Sequence, residues 1–455
     1  MSKAKGTFWI LLFMLLGLAI YQIVSIFWEA PMQRESGRWY SMAQPDPEAN
    51  MLRPREIYFT LGGEDGSYGK ISKQDEQFEE VFQYTYDLMA YVLENYKPEA
   101  VDLGELPWNQ EACVLDYDFE IDSDLVIQQL ELKEPMTEGK WSEIWVLPAQ
   151  SRKEKCVVYM LDQKAGIGLK AEGKAWEQDS NHLLLESLQN QAALQSRNYF
   201  AVAKAWQEPK LAGDYLLEGA MRETISLIQT SSNFLFNGRI NLAQAKQYAL
   251  QFFQYADTVK IKEDENQILC TNEKITVKVD DTGIVQYVET LTEEEQEAVT
   301  MKEAYQLAVG FVKKDLDWKS DFGLDFMFVG YEKAGNQYIF YFTYLIEGIP
   351  YQTVAGQDEQ QMDFPIRVTV EGSRVRRYER YVISVAIDQS RKYTLEETWQ
   401  NVINKTAAKG AVIKAVPELK YYYEKEELIL YWEIETNQGK IRYNAQETVT
   451  DKEKT

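Results

Sequence analysis

A single histidine, His182, stands in 455 residues, and its isolation removes a whole class of chemistry. Multi-histidine metal sites are excluded, and a Ser-His-Asp arrangement would hang on His182 alone, without a G-x-S-x-G elbow to present its serine. His182 falls at the start of an expected helix, where a cap or surface role suits it. Cysteine is nearly as scarce. Cys113, Cys156 and Cys270 are too few for a disulfide framework. Each lies in an apolar run, which favours a small buried hydrophobe, although a Cys113–Cys156 bridge between two expected strands stays open. A phosphate loop is missing too. In GEDGSYGKIS (Gly63 to Ser72) the position six before Lys70 is Glu64 instead of glycine, and Ile71 replaces the magnesium-binding hydroxyl.

Positive charge is the next deficit. Two of the 48 basic residues precede Thr7 and all 72 acidic ones follow Trp28, so the chain beyond Trp28 carries 26 excess negative charges. Such a surface repels nucleic acid and anionic headgroups. Acids alternate at Asp116, Asp118, Glu120, Asp122 and Asp124, yet they do not make a calcium loop. Counting from Asp118, the sixth position is Ser123 where glycine is needed and the twelfth is Gln129 where glutamate is needed. A strand running into a helix capped by Asp122 or Ser123 accounts for them. No catalytic, cofactor or metal residue is singled out, although a pair of carboxylates for glycoside hydrolysis depends on a separation in space that sequence does not reveal.

What the chain does have begins at Thr7. The stretch TFWILLFMLLGLAIYQIVSIFW, residues 7–28, is long enough as a helix to cross the ~30 Å hydrocarbon core of a bilayer. Lys3 and Lys5 precede it and Glu29 follows, so residues 1–6 are expected in the cytoplasm and the bulk of the chain outside a bacterial cell membrane. Phe27, Trp28 and Glu29 make a poor cleavage site, which favours an uncleaved single-pass anchor over a signal peptide. Gln22 and Ser25, one turn apart, are polar groups that could contact a neighbouring helix or reach the outer interface.

Beyond the anchor the patterns predict an α+β protein. A first outer domain over 31–170 has a strand at Glu56 to Leu61, a helix from a Ser72/Asp75 capping box through Phe78, Val81, Phe82, Thr85, Leu88, Met89, Val92 and Tyr96, and strands at 112–119, 143–147 and 156–161. A helix at 180–193 follows. A middle domain (171–295) and a C-terminal domain (296–447) share an internal repeat. Ile275, Val277, Val279, Asp280, Ile284 and Tyr287 match Ile366, Val368, Val370, Glu371, Val375 and Tyr378, with Gly283 and Gly372 in the turns. Each copy reads as a β-hairpin preceded by a helix, capped by Asn241/Gln244 in one case and Thr300/Glu303 in the other. The second copy adds strands at 326–331 and 337–345. A looser third unit has a helix capped by Thr394/Glu397 and strands at 420–423, 428–436 and 440–445.

Particular stretches resemble a known family. RPREIYF (Arg53 to Phe59), YIFYFTYLIEGIPYQT (Tyr338 to Thr353), FPIRVTVEGSRVRRYER (Phe364 to Arg380) and LKYYYEKEELILYWEIETNQGKIRYNAQ (Leu419 to Gln446) are similar to stretches of the YycH (WalH) regulatory proteins, the later ones also to their partner YycI. The resemblance implies an anchored, non-enzymatic accessory protein with YycI/PepSY-like repeats. Its partners would be a YycI-like protein and the sensor histidine kinase, WalK or YycG, of a cell-wall two-component system. Other readings from the same residues are an extracytoplasmic wall-polymer hydrolase and a PepSY-like inhibitor or chaperone of a secreted enzyme. The sequence does not give the sign of any effect on the kinase.

Overall fold

The computed structural model describes residues 45–445 apart from 64–65, 103–105, 107–108, 163–165, 195–197, 202–214, 218–223, 233–234, 237–238, 293–297, 317–324, 354–363, 396–397, 414–416 and 425–426. The expected anchor, with Gln22 and Ser25, lies outside the described residues; among them no helix is long and apolar enough to cross a membrane.

Apolar residues at period two over Glu56–Leu61 and Cys156–Asp162 build the first sheet, because alternate side chains meet a helix on one face. Its nine strands, antiparallel throughout, run in the order Glu99–Asp102, Ile167–Gly173, Cys156–Asp162, Lys140–Leu147, Glu111–Asp122, Glu56–Leu61, Ser67–Ser72, Tyr199–Ala201 and Tyr215–Leu217. Helix α1 (Phe78–Asn95) buries the expected positions from Phe78 to Val92. Its start differs from expectation. Ser72 ends a strand opposite Glu56, and Ser72 and Asp75 close a turn in which the Ser72 amide donates to Asp75 Oδ2 at 2.6 Å. The helix therefore begins only at Phe78, three residues beyond Asp75. Helix α2 (Ser123–Leu130) starts at Asp122, whose side chain accepts from the Leu125 amide at 2.7 Å. Helix α3 (Asp179–Leu194) packs beside α1.

All three cysteines are free and buried. Cys113 and Cys156 lie two strands apart in this sheet, about 10 Å at the usual strand spacing, beyond the ~7 Å reach of a disulfide. Burial pushes the thiols of Cys113 and Cys156 up to about 12 and that of Cys270 to about 11. They should be inert to a thiol reagent in the native protein and react together on unfolding in urea; prompt labelling of the native protein would contradict this packing.

The second sheet has twelve strands. In order across it lie Lys260–Glu263, Gln267–Thr271, Ile275–Asp280, Ile284–Glu289, Arg374–Tyr381, Ile366–Glu371, Gln337–Ile346, Ile349–Thr353, Glu418–Glu424, Glu427–Thr436 and Gly439–Asn444, with Asp325–Ala334 paired separately to Gln337–Ile346. Among the described residues the one parallel pair joins Ile349–Thr353 to Glu418–Glu424. Helices α4 (Leu242–Leu250) and α5 (Met301–Leu316) cover the repeated hairpins. The two expected caps are present: the Gln244 amide donates to Asn241 Oδ1, while Thr300 and Glu303 exchange hydrogen bonds in both directions. Helix α6 (Trp399–Ala408) instead starts from Thr398, because Thr394 is held in strand Ile383–Thr394 opposite Thr224. Glu397 lies outside the described residues.

The repeat has a consequence visible only in the pairing. The two hairpins lie side by side with their return strands in contact, and Tyr287 sits directly opposite its own counterpart Tyr378. A local two-fold axis thus passes through the tyrosine pair. Val277, Val279, Val368 and Val370 are all buried in the layer below the helices. Neither expected boundary, at 170 or 295, coincides with the edge of a sheet: Ile167–Gly173 spans the first, and Ile284–Glu289 pairs with Arg374–Tyr381 across the second.

Candidate functional site: the joint between the sheets

Asp315 occupies the last turn of α5, where the exposed carbonyls of a helix disfavour a negative charge. It is 2 % exposed, so it needs strong partners. Three residues hold its carboxylate. Arg380 Nη1 lies 2.5 Å from Oδ2, the Tyr378 hydroxyl donates to Oδ2 at 2.6 Å, and the Tyr248 hydroxyl reaches Oδ1 at 2.7 Å and Oδ2 at 2.9 Å. Arg380 Nε donates onward to the Tyr344 hydroxyl at 2.8 Å, which donates to the Tyr381 carbonyl at 2.8 Å. Burial first, then the Asp315 charge, pushes the Tyr248 and Tyr378 hydroxyls well above the usual phenol range, so both remain donors. The cluster joins α4, α5 and the second hairpin. Beside it the rings of Phe252, Phe311, Tyr287 and Tyr378 pack at the two-fold axis, with Phe311 to Tyr378 at 5.0 Å and Phe311 to Tyr287 at 5.3 Å between centroids.

The outer face of α5 meets α2, and strand Asp325–Ala334 beside it meets strand Glu111–Asp122 of the first sheet. Lys302 pairs with Glu131 at 2.5 Å, and the Tyr331 hydroxyl donates to Asp122 Oδ2 at 3.0 Å. Phe119 packs edge-on to Phe328 with centroids 4.8 Å apart, and Phe328 packs in turn on Tyr305 of α5.

Across this joint runs the first described segment. The Asp46 amide donates to the Gln306 carbonyl at 2.9 Å, its carboxylate pairs with Lys313 at 2.5 Å, and Gln306 Nε2 donates to the Pro47 carbonyl at 3.4 Å. A few residues later the chain belongs to the other half. Met51 and Leu52 are buried, the Tyr117 hydroxyl donates to the Leu52 carbonyl at 2.7 Å, and the Arg55 amide donates to the Asp116 carbonyl at 2.8 Å. Residues 46–55 therefore strap α5 to the first sheet.

A third polar cluster lies on the face of the first sheet away from α1. Glu56, Asp116 and Glu143 are cross-strand neighbours in one row, and each is under a tenth exposed. Burial would raise the Glu56 carboxyl, but the charges of Lys70 and Arg55 and a 2.6 Å hydrogen bond from Tyr58 hold it down at about 2. Glu143 accepts from Trp145 Nε1 at 2.7 Å. These are neighbouring carboxylates, as glycoside hydrolysis requires, but they are sealed beneath side chains, so a polymer has no approach to them.

His182 is exposed and stands edge-on to Trp176, 4.5 Å between ring centroids. Among the described residues no three of His, Cys, Asp and Glu are placed to hold a metal ion. The alternating acids are divided: Asp116 is buried in the row just described, whereas Asp122 caps α2 and touches Tyr331. Sequence reasoning did not single out Asp315, Arg380 or the strap. A lone aspartate in the C-terminal turn of a helix was the available signal for the first, but its arginine lies 65 residues away.

No family model matches the sequence, and neither does any curated protein. Among solved structures the chain is similar to the crystal structure of YycH from Bacillus subtilis, with a TM-score of 0.46 and 12% identity over 88% of this chain and 98% of that one.

Proposed function

We propose that the chain is a membrane-anchored, non-enzymatic regulator that binds a sensor histidine kinase of a cell-wall two-component system together with a YycI-like partner. The strap carries this reading. The residues nearest the apolar stretch that the structure describes grip α5 with one end and the first sheet with the other, so a displacement passed along the chain from the membrane segment would enter the described fold at the joint. The sequence resemblance supplies the class of partner, and the sealed carboxylate row favours binding over hydrolysis.

Regulation between membrane helices makes a distinct prediction for Gln22. Gln22→Leu should weaken association with the kinase or the YycI-like protein while leaving insertion intact, since leucine loses only the hydrogen bond, typically worth ~0.6–2 kcal/mol in lipid. The check is crosslinking in membranes of wild type, Gln22→Leu and a variant with residues 7–28 replaced by an unrelated transmembrane helix. Unchanged association in both variants would move the contact to the outer domains.

A further inference from the structure

Where the first hairpin ends, the loops of the second sheet leave an open cleft of about 840 Å³, within the usual ~300–1,000 Å³ range of small-ligand sites. The chain after α4 supplies Gln254 and Tyr255, strand Lys260–Glu263 supplies Lys260, the loop before Ile275 supplies Glu273 and Lys274, and the second hairpin supplies Arg374. The loop is fixed in place: Asn272 Oδ1 accepts from the Lys274 amide at 2.9 Å and the Ile275 amide at 2.7 Å.

The lining is unusual for this chain in two respects. First, three cations, Lys260, Lys274 and Arg374, face two acids, Glu273 and Glu289, a local positive excess of one in a protein whose net charge is −24. One oxygen of Glu289 is already occupied by the Tyr287 hydroxyl at 2.8 Å. Second, Tyr255 is 60 % exposed at the cleft, an aromatic face left in water with no ring partner among the described residues. The walls combine charge, amide and hydroxyl groups with the apolar stems of these long side chains and with Ile275, the one aliphatic residue of the lining. Walls of this mixed kind suit a ligand with both hydroxyls and an apolar face, and a dense polyanion is repelled by the rest of the surface.

We infer that this cleft binds a saccharide carrying one carboxylate per sugar. The apolar face of a pyranose would lie on Tyr255, the Gln254 amide and the Glu273 carboxylate would exchange hydrogen bonds with ring hydroxyls, and Lys260 would pair with the sugar carboxylate. This inference is independent of the kinase reading, since it concerns a different surface and needs no partner protein.

The test uses the full chain in lipid nanodiscs and follows binding by saturation-transfer NMR and calorimetry. The probes are tri-galacturonate, its neutral methyl ester, and inorganic phosphate. Tri-galacturonate should bind saturably and about tenfold more tightly than the ester, a difference of about 1.4 kcal/mol. Tyr255→Ala should weaken it by a similar factor, and Lys260→Gln should remove the preference for acid over ester. Both side chains are exposed, so unchanged thermal unfolding of the two variants will separate loss of binding from loss of fold. Absence of saturable tri-galacturonate binding would overturn the assignment. So would binding indifferent to both substitutions, or displacement by phosphate at equal concentration, which would mark a simple anion site.

Discussion

Asp315→Ala should lower the unfolding free energy of the fold by about 3–5 kcal/mol, since it leaves the Arg380 guanidinium buried without its counter-charge. The loss is larger than that of a surface ion pair because both partners are under a tenth exposed and the two tyrosine hydroxyls lose their acceptor together. Arg380→Met in the same background should recover part of the loss by removing the stranded charge, so the two substitutions should be strongly non-additive. Urea unfolding of the two single variants and the double variant is the check. A loss below about 1 kcal/mol for Asp315→Ala would mean the cluster is hydrated in solution and does not hold α4, α5 and the second hairpin together.

Acid should weaken the first sheet through Glu56. Burial acts to raise the Glu56 carboxyl, but the charges of Lys70 and Arg55 prevail and hold it at about 2 against an ordinary value of 4.5. A carboxyl lowered on folding gives stability that is complete above its unfolded value and is lost as pH falls from about 4.5 toward 2. For Glu56 the amount is roughly 3 kcal/mol, from the difference between those two values. Glu433 is also held at about 2 against its own burial, by Lys420, Tyr422 and Lys440. Its contribution is lost over the same range of pH. Urea midpoints measured between about pH 6 and pH 3 should fall for the wild type, and the fall should be shallower for Glu56→Gln. An identical slope in the variant would assign the acid sensitivity elsewhere.

The repeated hairpins were legible because the signal is local. Valines two residues apart with a glycine turn fix a strand face and a reversal without reference to the rest of the chain. Helix starts were legible where two side chains satisfy each other's amides, as at Thr300 and Glu303. The same sequence pattern misled at Ser72/Asp75 and Thr394, where a strand partner had already fixed the backbone. Domain boundaries were hidden for a related reason: the contacts that decide them, Ile284–Glu289 with Arg374–Tyr381 or Thr224–Ser232 with Ile383–Thr394, join residues some ninety or more positions apart. The candidate site was the least legible. Asp315 and Arg380 meet across 65 residues, and Asp46 reaches Lys313 from the other end of the chain.

The proposed regulator acts by contact with a kinase, so the autophosphorylation rate of the membrane-bound sensor kinase, reconstituted with and without the full chain, tests it most directly. The rate should change in either direction as the chain is added and level off at a fixed ratio of chain to kinase. It should respond differently when Asp46→Ala and Lys313→Ala release the strap from α5. A rate that stays constant at every ratio, with the chain inserted and folded in the same vesicles, would contradict the account.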